Sequence, residues 1–214
     1  MRGTSGEHPA MSAARFFRAL PPAGTRQRLG LFGGSFDPVH SGHLHLARTA
    51  LKQLQLDAVW WFPARGNPLK EAASAYTQRL EGVRNAVRGD RAMRVSPLEA
   101  EAGLTYSLDL IRLVKAHCRQ AQLVWLMGSD NLASFHHWKA WREIAETVPI
   151  AVIARPGSLV SARNAPFARL YRDRRLPRHL AARLPQAPPP AWTWLSAPLD
   201  PVSSTALRAA QASS

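Results

Sequence analysis

The chain has 214 residues, a length typical of one α/β domain or of one domain with extensions. Its net charge is +14, but 24 of the 28 basic residues are arginines spread through an Ala-, Arg- and Pro-rich sequence, which favours compositional bias and a small anionic substrate over nucleic acid. No apolar stretch approaches the ~18 residues of a membrane span, and the single cysteine, Cys118, excludes an internal disulfide and is typical of the cytoplasm.

Strand-like and helix-like segments alternate along most of the chain. Short apolar runs predict strands at 28–36, 58–63, 93–99, 123–127, 149–154 and 192–199. Apolar residues at helical spacing predict helices at 43–54, 76–88, 107–118 and 203–211, with one or two more ending at 146. The hydroxyl of Ser107 is a plausible N-cap of the third of these helices. Apolar strands that alternate with helices predict an α/β domain with a Rossmann-like, doubly wound parallel sheet.

The ends of the chain and one inner segment depart from this alternation. Residues 1–27 carry arginines but no continuous apolar run, which predicts a disordered N-terminal extension and argues against a signal peptide. Between 155 and 190 the pattern gives way to Pro- and Arg-rich sequence, which predicts a polar, partly mobile excursion. Residues 28–214 show no repeat and no second domain, so a single domain is expected.

Residues 33–43 (GGSFDPVHSGH), between the first predicted strand and helix, carry the strongest chemical signal. Glycines let the backbone approach a ligand, and a helix N-terminus offers free N–H groups to phosphate. His40 and His43 can donate to phosphate oxygens, which predicts a polyphosphate site. The motif is neither G-x-G-x-x-G nor G-x-x-x-x-G-K-[ST], which argues against hydride transfer and a P-loop. Zinc ligation has no supporting cysteine or HExxH partner, whereas histidines packed structurally against the helix start remain an alternative.

Four polar clusters follow strand-like runs. In a doubly wound sheet, ligands bind beyond the carboxyl ends of the strands, so these clusters are expected to converge on one crevice. Alone, each has an ordinary interpretation, such as a helix cap or a turn. The clusters are 33–43, Gly128-Ser129-Asp130, Arg155-Pro156-Gly157 and Ser203-Ser204-Thr205.

The motif at 33–43 resembles the (T/H)xGH signature of the nucleotidyltransferase superfamily, and 28–208 as a whole is most similar to bacterial nicotinate-nucleotide adenylyltransferases. Thr105-Tyr106-Ser107 stands where that family usually has Ser-Tyr-Thr, a difference that keeps both hydroxyls. Each of the other matching segments is short, but their order and spacing are jointly specific. They are 63–70 (PARGNPLK), Tyr106-Ser107, 128–130 followed by Trp138, 155–157 and 202–208 (VSSTALR).

The resemblance implies a nucleotidyltransferase domain that transfers AMP from ATP to nicotinate mononucleotide, giving nicotinate adenine dinucleotide and pyrophosphate in NAD biosynthesis. The attacking phosphate is already an anion, so catalysis would rest on positioning and charge neutralisation. Mg²⁺ would accompany ATP and bridge its phosphates, with no metal ligand implied in the protein. The implied catalytic residues are His40, His43 and Arg208. The implied ATP-binding residues are Gly33, Gly34, Ser35, Phe36, His40, His43, Arg155, Ser203, Ser204, Thr205 and Arg208.

The resemblance also implies a site for the mononucleotide. Lys70 would hold its phosphate and Trp138 would lie near the pyridine ring, whereas Trp141 is expected to pack in the core. Asp130 would face a ribose, although a helix N-cap is its ordinary interpretation. The implied mononucleotide-binding residues are Lys70, Tyr106, Ser107, Gly128, Asp130 and Trp138.

Other functions stay open at this stage. Phosphopantetheine adenylyltransferase shares the histidine motif and a similar Ser-Ser ending, but the 128–138 and 155–157 segments favour the pyridine nucleotide. A class I tRNA synthetase fragment would need a Lys-Met-Ser-Lys-Ser loop, which the sequence lacks. A non-catalytic nucleotide- or RNA-binding protein would use the +14 surface. No nucleic-acid or membrane partner is expected, and the chain is expected to be a monomer or a small homo-oligomer.

Overall fold

Seven strands form one sheet in the computed structural model, which describes residues 19–66, 75–154 and 159–196. All neighbouring strands are parallel, in the order β3-β2-β1-β4-β5-β7-β6. The predicted Rossmann-like, doubly wound sheet is therefore confirmed. The strands are β1 (Arg28–Gly34), β2 (Ala58–Pro63), β3 (Met93–Val95), β4 (Gln122–Gly128), β5 (Ile150–Ile153), β6 (Arg175–Leu176) and β7 (Trp192–Leu195).

Helices cover both faces of the sheet. They are α1 (Ser41–Leu54), α2 (Tyr76–Ala86), α3 (Leu98–Glu101), α4 (Ser107–His117), α5 (Ser129–Ser134), α6 (Trp141–Thr147), α7 (Leu159–Arg163) and α8 (Pro166–Leu170). Three 3-10 helices span Phe135–His137, Arg172–Arg174 and Arg178–Gln186. In the described residues, no helix combines the length and apolar character needed to cross a membrane.

Strand β2 shows why this sheet needs two covering layers. All six of its residues are buried, and successive side chains point to opposite faces, so Trp60 and Trp61 belong to different core clusters. Helix α4 covers the Trp60 face with Leu108 and Ile111, whereas α1 covers the Trp61 face with Leu46 and other apolar residues. A parallel strand that is apolar on both faces is stable only between two such layers.

Two local predictions need correction. The strand expected at 93–99 ends at Val95, and residues 98–101 are helical. Ser96 N still donates to Trp61 O at 2.9 Å, but Pro97 leaves the extended conformation, with φ −81° and ψ 15°, and as the N-cap it leads into α3. Ser107 is the first residue of α4 and not its N-cap, which is Tyr106 and makes no side-chain capping bond.

The prediction of a polar excursion at 155–190 is wrong for the described part, 159–190, because this part packs into both cores. Phe167 contributes to the cluster of Trp60, and Leu184 contributes to that of Trp61. Strand β6 lies at the sheet edge beside β7. The apolar residues here sit on short elements with irregular spacing, so no helical or strand period marks them.

Residues 19–27, which the sequence assigned to the extension, also lie against the domain. The side chain of Leu20 is buried in the core, and Ser96 Oγ donates to Ala19 O at 2.6 Å. Arg26 N donates to Gln120 O at 2.9 Å. These contacts extend the packed part of the domain to residue 19.

The strand order places a switch point between β1 and β4. From β1 the chain builds outwards through β2 and β3, and it then returns to the other side of β1 to begin β4. Connections that leave neighbouring strands in opposite directions open a crevice at the strands' carboxyl ends. That crevice is where the functional residues are expected.

Candidate active site

A cleft of about 360 Å³ opens at the carboxyl ends of β1 and β4. Gly33 and Gly34 reach it from β1, and Gly128 reaches it from β4. Two of the four polar clusters, 33–43 and 128–130, therefore meet as predicted. The lining residues are Phe32, Gly33, Gly34, Ser35, Phe36, His43, Ala64, Glu99, Thr105, Ser107, Gly128, Asp130, Asn131 and Trp138.

Gly33 is required by close packing beneath the loop that follows β1. A Cβ atom at this position would lie 2.6 Å from Cη2 of Trp125, whose indole is 1% exposed. Carbon atoms in contact stay about 3.5 Å or more apart, so a side chain here would displace the indole or the loop. The glycine thus lets the Trp125 indole of β4 pack directly against the end of β1 at the wall of the cleft.

Phe36 holds this loop in an unusual conformation. Its φ is 47°, in the left-handed region that a bulky residue rarely adopts. The ring is 1% exposed and packs edge-on against Phe32 at 5.2 Å and His43 at 5.1 Å between centroids. This aromatic packing offsets the backbone strain and fixes the path of the loop beside the cleft.

The two histidines of the motif cap helix α1. His40 is the N-cap, and its Nδ1 accepts from Gly42 N at 3.1 Å. His43 Nδ1 accepts from His40 N at 3.3 Å, and the two rings lie 3.9 Å apart. A nitrogen that accepts a hydrogen bond carries no proton, so each neutral ring has its proton on Nε2. The local capping therefore makes Nε2–H the donor, and His43 lies on the cleft wall.

Trp138 reaches the cleft from the far side of β4. Helix α5 begins directly after β4, and the 3-10 helix Phe135–His137 carries the chain to Trp138. The Trp138 ring packs edge-on against the fully buried Phe135 at 5.4 Å. Trp141 packs against the same Phe135 ring and also against Phe167 and Tyr171, in agreement with its expected packing role.

Glu99 is a functional candidate that the sequence did not single out. It lies on α3, lines the cleft and is only 9% exposed. Burial raises its pKa from 4.5 to about 7, against the opposing effects of the Arg65 backbone N–H, which donates to the carboxylate, and the Arg79 charge. Glu99 was not predicted because the pattern of 93–99 is typical of a single strand. The turn at Pro97 brings Glu99 to the cleft.

Arg79 lies behind the cleft and not on its wall. Its guanidinium donates from Nη1 to Ser35 O at 2.6 Å and from Nη2 to Arg65 O at 3.1 Å. The residue is 4% exposed, and its guanidinium carbon lies 5.7 Å from the Tyr76 ring centroid. It therefore joins the loops that follow β1 and β2.

The predicted site residues divide into three groups. Those on the cleft wall are Gly33, Gly34, Ser35, Phe36, His43, Ser107, Gly128, Asp130 and Trp138. Two described residues lie off that wall: His40 stacks behind His43, and Tyr106 is 42% exposed with Lys139 Nζ 4.1 Å from its ring centroid. Those outside the described residues are Lys70, Arg155, Ser203, Ser204, Thr205 and Arg208.

The cleft also has residues that were absent from the predicted set: Phe32, Ala64, Glu99, Thr105 and Asn131. Thr105 and Asn131 are adjacent in sequence to predicted residues, which is the signal that could have found them. A larger cavity of about 850 Å³ lies along α1, where His45, Arg48 and Lys52 line it, but it contains none of the predicted site residues. Within the described ranges, no three His, Cys, Asp or Glu side chains are grouped as a metal site.

Comparison with known proteins agrees with this geometry. The cytidylyltransferase-like family model matches residues 31–210. A probable nicotinate-nucleotide adenylyltransferase of Ruegeria pomeroyi is 45% identical over 194 residues, which cover 90% of this chain and 91% of the relative. Another, of Caulobacter sp. strain K31, is 45% identical over 186 residues, covering 86% of this chain and 98% of the relative.

The fold is also similar to that of a solved enzyme. Nicotinic acid mononucleotide adenylyltransferase of Plasmodium falciparum, in complex with NaAD, matches with a TM-score of 0.65 over 86% of this chain and 83% of that chain. The two are 14% identical, so this likeness concerns the fold. The family model and the 45% identical relatives extend over nearly the whole sequence. The chain therefore belongs to the cytidylyltransferase-like family and, within it, to the nicotinate-nucleotide adenylyltransferases.

Proposed function

We propose that the cleft transfers the adenylyl group of ATP to nicotinate mononucleotide. The 5′-phosphate oxygen of the mononucleotide forms a bond to the α-phosphorus of ATP, and the bond from that phosphorus to the β-phosphate bridging oxygen breaks. The products are nicotinate adenine dinucleotide and pyrophosphate. The observation that carries this proposal is that Gly33 and Gly34 at the end of β1, together with His43 and Trp138, line one cleft at the switch point of the sheet.

The phosphate half of the cleft, Gly33, Gly34, Ser35, Phe36 and His43, is suited to the triphosphate. The N-terminus of α1 provides a partial positive charge, and its first turn contains no acidic residue. His43 offers Nε2–H as a donor to an oxygen that gains charge as pyrophosphate leaves. The nucleophile is an anion and needs no general base, so positioned donors suffice for the chemistry.

The acceptor half of the cleft, Glu99, Ser107, Asp130 and Trp138, is suited to the mononucleotide. Trp138 offers an aromatic face on which a pyridine ring can stack. Ser107 provides a hydroxyl, and the exposed carboxylate of Asp130 can accept hydrogen bonds from a ribose. A ring held on one side and a phosphate directed to the other would place the nucleophile beside ATP.

Mg²⁺ is proposed to enter with ATP. Its direct ligands would be mainly phosphate oxygens and water, and the side-chain amide oxygen of Asn131, a residue that lines the cleft, would accept a hydrogen bond from such a water. When bound, the ion neutralises phosphate charge. The roles of Lys70 at the mononucleotide phosphate, and of Arg155, Ser203, Ser204, Thr205 and Arg208 at ATP, are proposals from the family resemblance, because these residues lie outside the described ranges.

The test is pyrophosphate release from ATP with three acceptors in parallel. We expect the highest kcat/KM with nicotinate mononucleotide, a lower value with nicotinamide mononucleotide and none with phosphopantetheine. Preference for phosphopantetheine would support the alternative transferase instead. Absence of turnover with all three, together with salt-sensitive RNA binding, would contradict the enzyme and favour a nucleic-acid-binding protein.

A further inference from the structure

Arg79 is a buried cation that donates hydrogen bonds to the loops that follow β1 and β2. It lies on α2, is 4% exposed and is not among the residues that line the cleft. Both terminal nitrogens of its guanidinium donate to backbone carbonyls, at 2.6 Å to Ser35 and at 3.1 Å to Arg65. A buried cation that donates to the backbone carbonyls of two loops indicates that the conformation of those loops matters.

The two carbonyls belong to neighbouring strand ends. Strands β1 and β2 pair up to Gly34 and Pro63, and Ala64 N donates to Gly34 O at 2.8 Å. Arg79 continues this connection one step beyond the sheet, from Ser35 to Arg65. At Gly66, where φ is +98°, a Cβ atom would lie 3.3 Å from Arg79 Nη2, so the loop lies close around the guanidinium.

Glu99 holds the same loop from the other side. The Arg65 backbone N–H donates to the Glu99 carboxylate, and the Arg65 carbonyl accepts from Arg79. Both polar groups of Arg65 are thus tied to buried side chains of opposite charge. Glu99 also forms part of the cleft wall, so the Arg79 contacts reach both halves of the site.

The hydrogen bond from Arg79 to the Ser35 carbonyl determines the orientation of the Ser35–Phe36 peptide. In a planar trans peptide the C=O of Ser35 and the N–H of Phe36 point in opposite directions. Arg79 holds that carbonyl, so the Phe36 N–H is directed away from Arg79. This peptide leads into the left-handed Phe36, φ 47°, and both residues line the cleft. Without the guanidinium, the peptide could rotate and present a carbonyl where a phosphate needs a donor.

We propose that Arg79 is a positioning residue for adenylyl transfer, which keeps the Ser35–Phe36 peptide turned so that its N–H faces the ATP phosphates and ties this loop to the acceptor side through Arg65. This inference rests on the proposed function. Only a planar guanidinium reaches both carbonyls with separate nitrogens, so lysine is not equivalent.

The experiment compares Arg79→Lys, Arg79→Ala and wild type in the pyrophosphate-release assay with ATP and nicotinate mononucleotide. We expect Arg79→Lys to lower kcat at least tenfold and Arg79→Ala at least a hundredfold. Millimolar methylguanidine should restore Arg79→Ala at least tenfold, because it re-supplies the lost donors. Arg112→Ala is the matched control. Arg112 forms an exposed ion pair with Glu143, so this variant should keep the wild-type kcat, and methylguanidine should not alter it.

Gly66→Ala is a second variant that keeps the arginine but places a methyl group against Nη2. It also strains the backbone at φ +98° and should lower kcat several-fold, whereas Arg79→Lys keeps the charge and preserves the test if Arg79→Ala does not fold. Folded variants with kcat within twofold of wild type, or a loss that follows the melting temperature alone and is not restored by methylguanidine, would overturn the inference. An inactive wild-type enzyme would instead contradict the proposed function.

Discussion

Among the described residues, the phosphate half of the cleft comes from one short stretch of chain, 33–43, whereas the acceptor half is assembled from segments between 99 and 138. The first is organised largely by local bonds, such as the capping interactions of His40 and His43, with Arg79 as a long-range contact to Ser35. The second depends on a helix after β3, on the start of α4 and on a 3-10 turn after β4. Chemistry common to all nucleotide substrates can be built locally, whereas recognition of one acceptor needs several distant elements.

The largest effect is expected from His43→Ala, which tests the phosphate half of the cleft. Removing a donor to the leaving pyrophosphate should lower kcat roughly 10²–10⁴-fold, whereas loss of the cap should lower the melting temperature by only a few degrees, as expected for about 1 kcal/mol. The control is His45→Ala on the same helix, whose side chain lines the other cavity and should leave kcat near wild type. If His43→Ala keeps a near-normal rate, the histidine only caps the helix.

The acceptor half is tested by Trp138→Ala. Loss of the stacking face should raise KM for the mononucleotide roughly tenfold or more, as expected for about 1–3 kcal/mol of stacking. KM for ATP should change little, and Trp138→Phe should recover most of the affinity. Steady-state kinetics with each substrate varied in turn measures both. Equal losses for the two substrates would show that the halves are not separate.

A smaller effect is expected from Glu99→Gln, and it depends on pH. Glu99 has a pKa of about 7, so wild type gains a negative charge in the cleft as pH rises from 6 to 8. Repulsion of about 0.6 kcal/mol should raise KM for the anionic mononucleotide about threefold relative to the variant. Both proteins bind the same substrate, so the ratio of the wild-type KM to the Glu99→Gln KM is unaffected by titration of the substrate itself. A ratio that stays constant with pH would contradict this role.

The same carboxyl affects folding with a definite sign. Its folded pKa lies above the ordinary value of 4.5, so its contribution favours folding below pH 4.5 and is lost as pH rises to about 7. Glu99→Gln should therefore gain stability relative to wild type across that interval and level off above it. Urea unfolding at pH 4.5, 6 and 8 measures the difference, and a gain that grows as pH falls would be inconsistent with the raised pKa.

The two halves of the cleft differ in how much of them the sequence predicts, and the reason is physical. The motif at 33–43 places its residues on the cleft because a strand, a turn and a helix N-terminus are encoded in adjacent residues. Glu99 was missed because its position depends on where β3 stops, which is set by Pro97, whose backbone (φ −81°, ψ 15°) turns from the strand into α3. Trp138 was found through the family resemblance, since its spacing alone did not separate it from Trp141.

The sequence alone predicted the parallel α/β sheet and the phosphate motif, because hydrophobic period and capping are local properties of a chain, and the family followed from the resemblance of its motifs in order and spacing. The tertiary structure decided that the described part of 155–190 packs into both cores, that Trp125 lies beneath Gly33 and that Arg79 joins the loops after β1 and β2. These features arise from contacts between residues far apart in the chain, and no local pattern records which side chain a distant backbone carbonyl will meet.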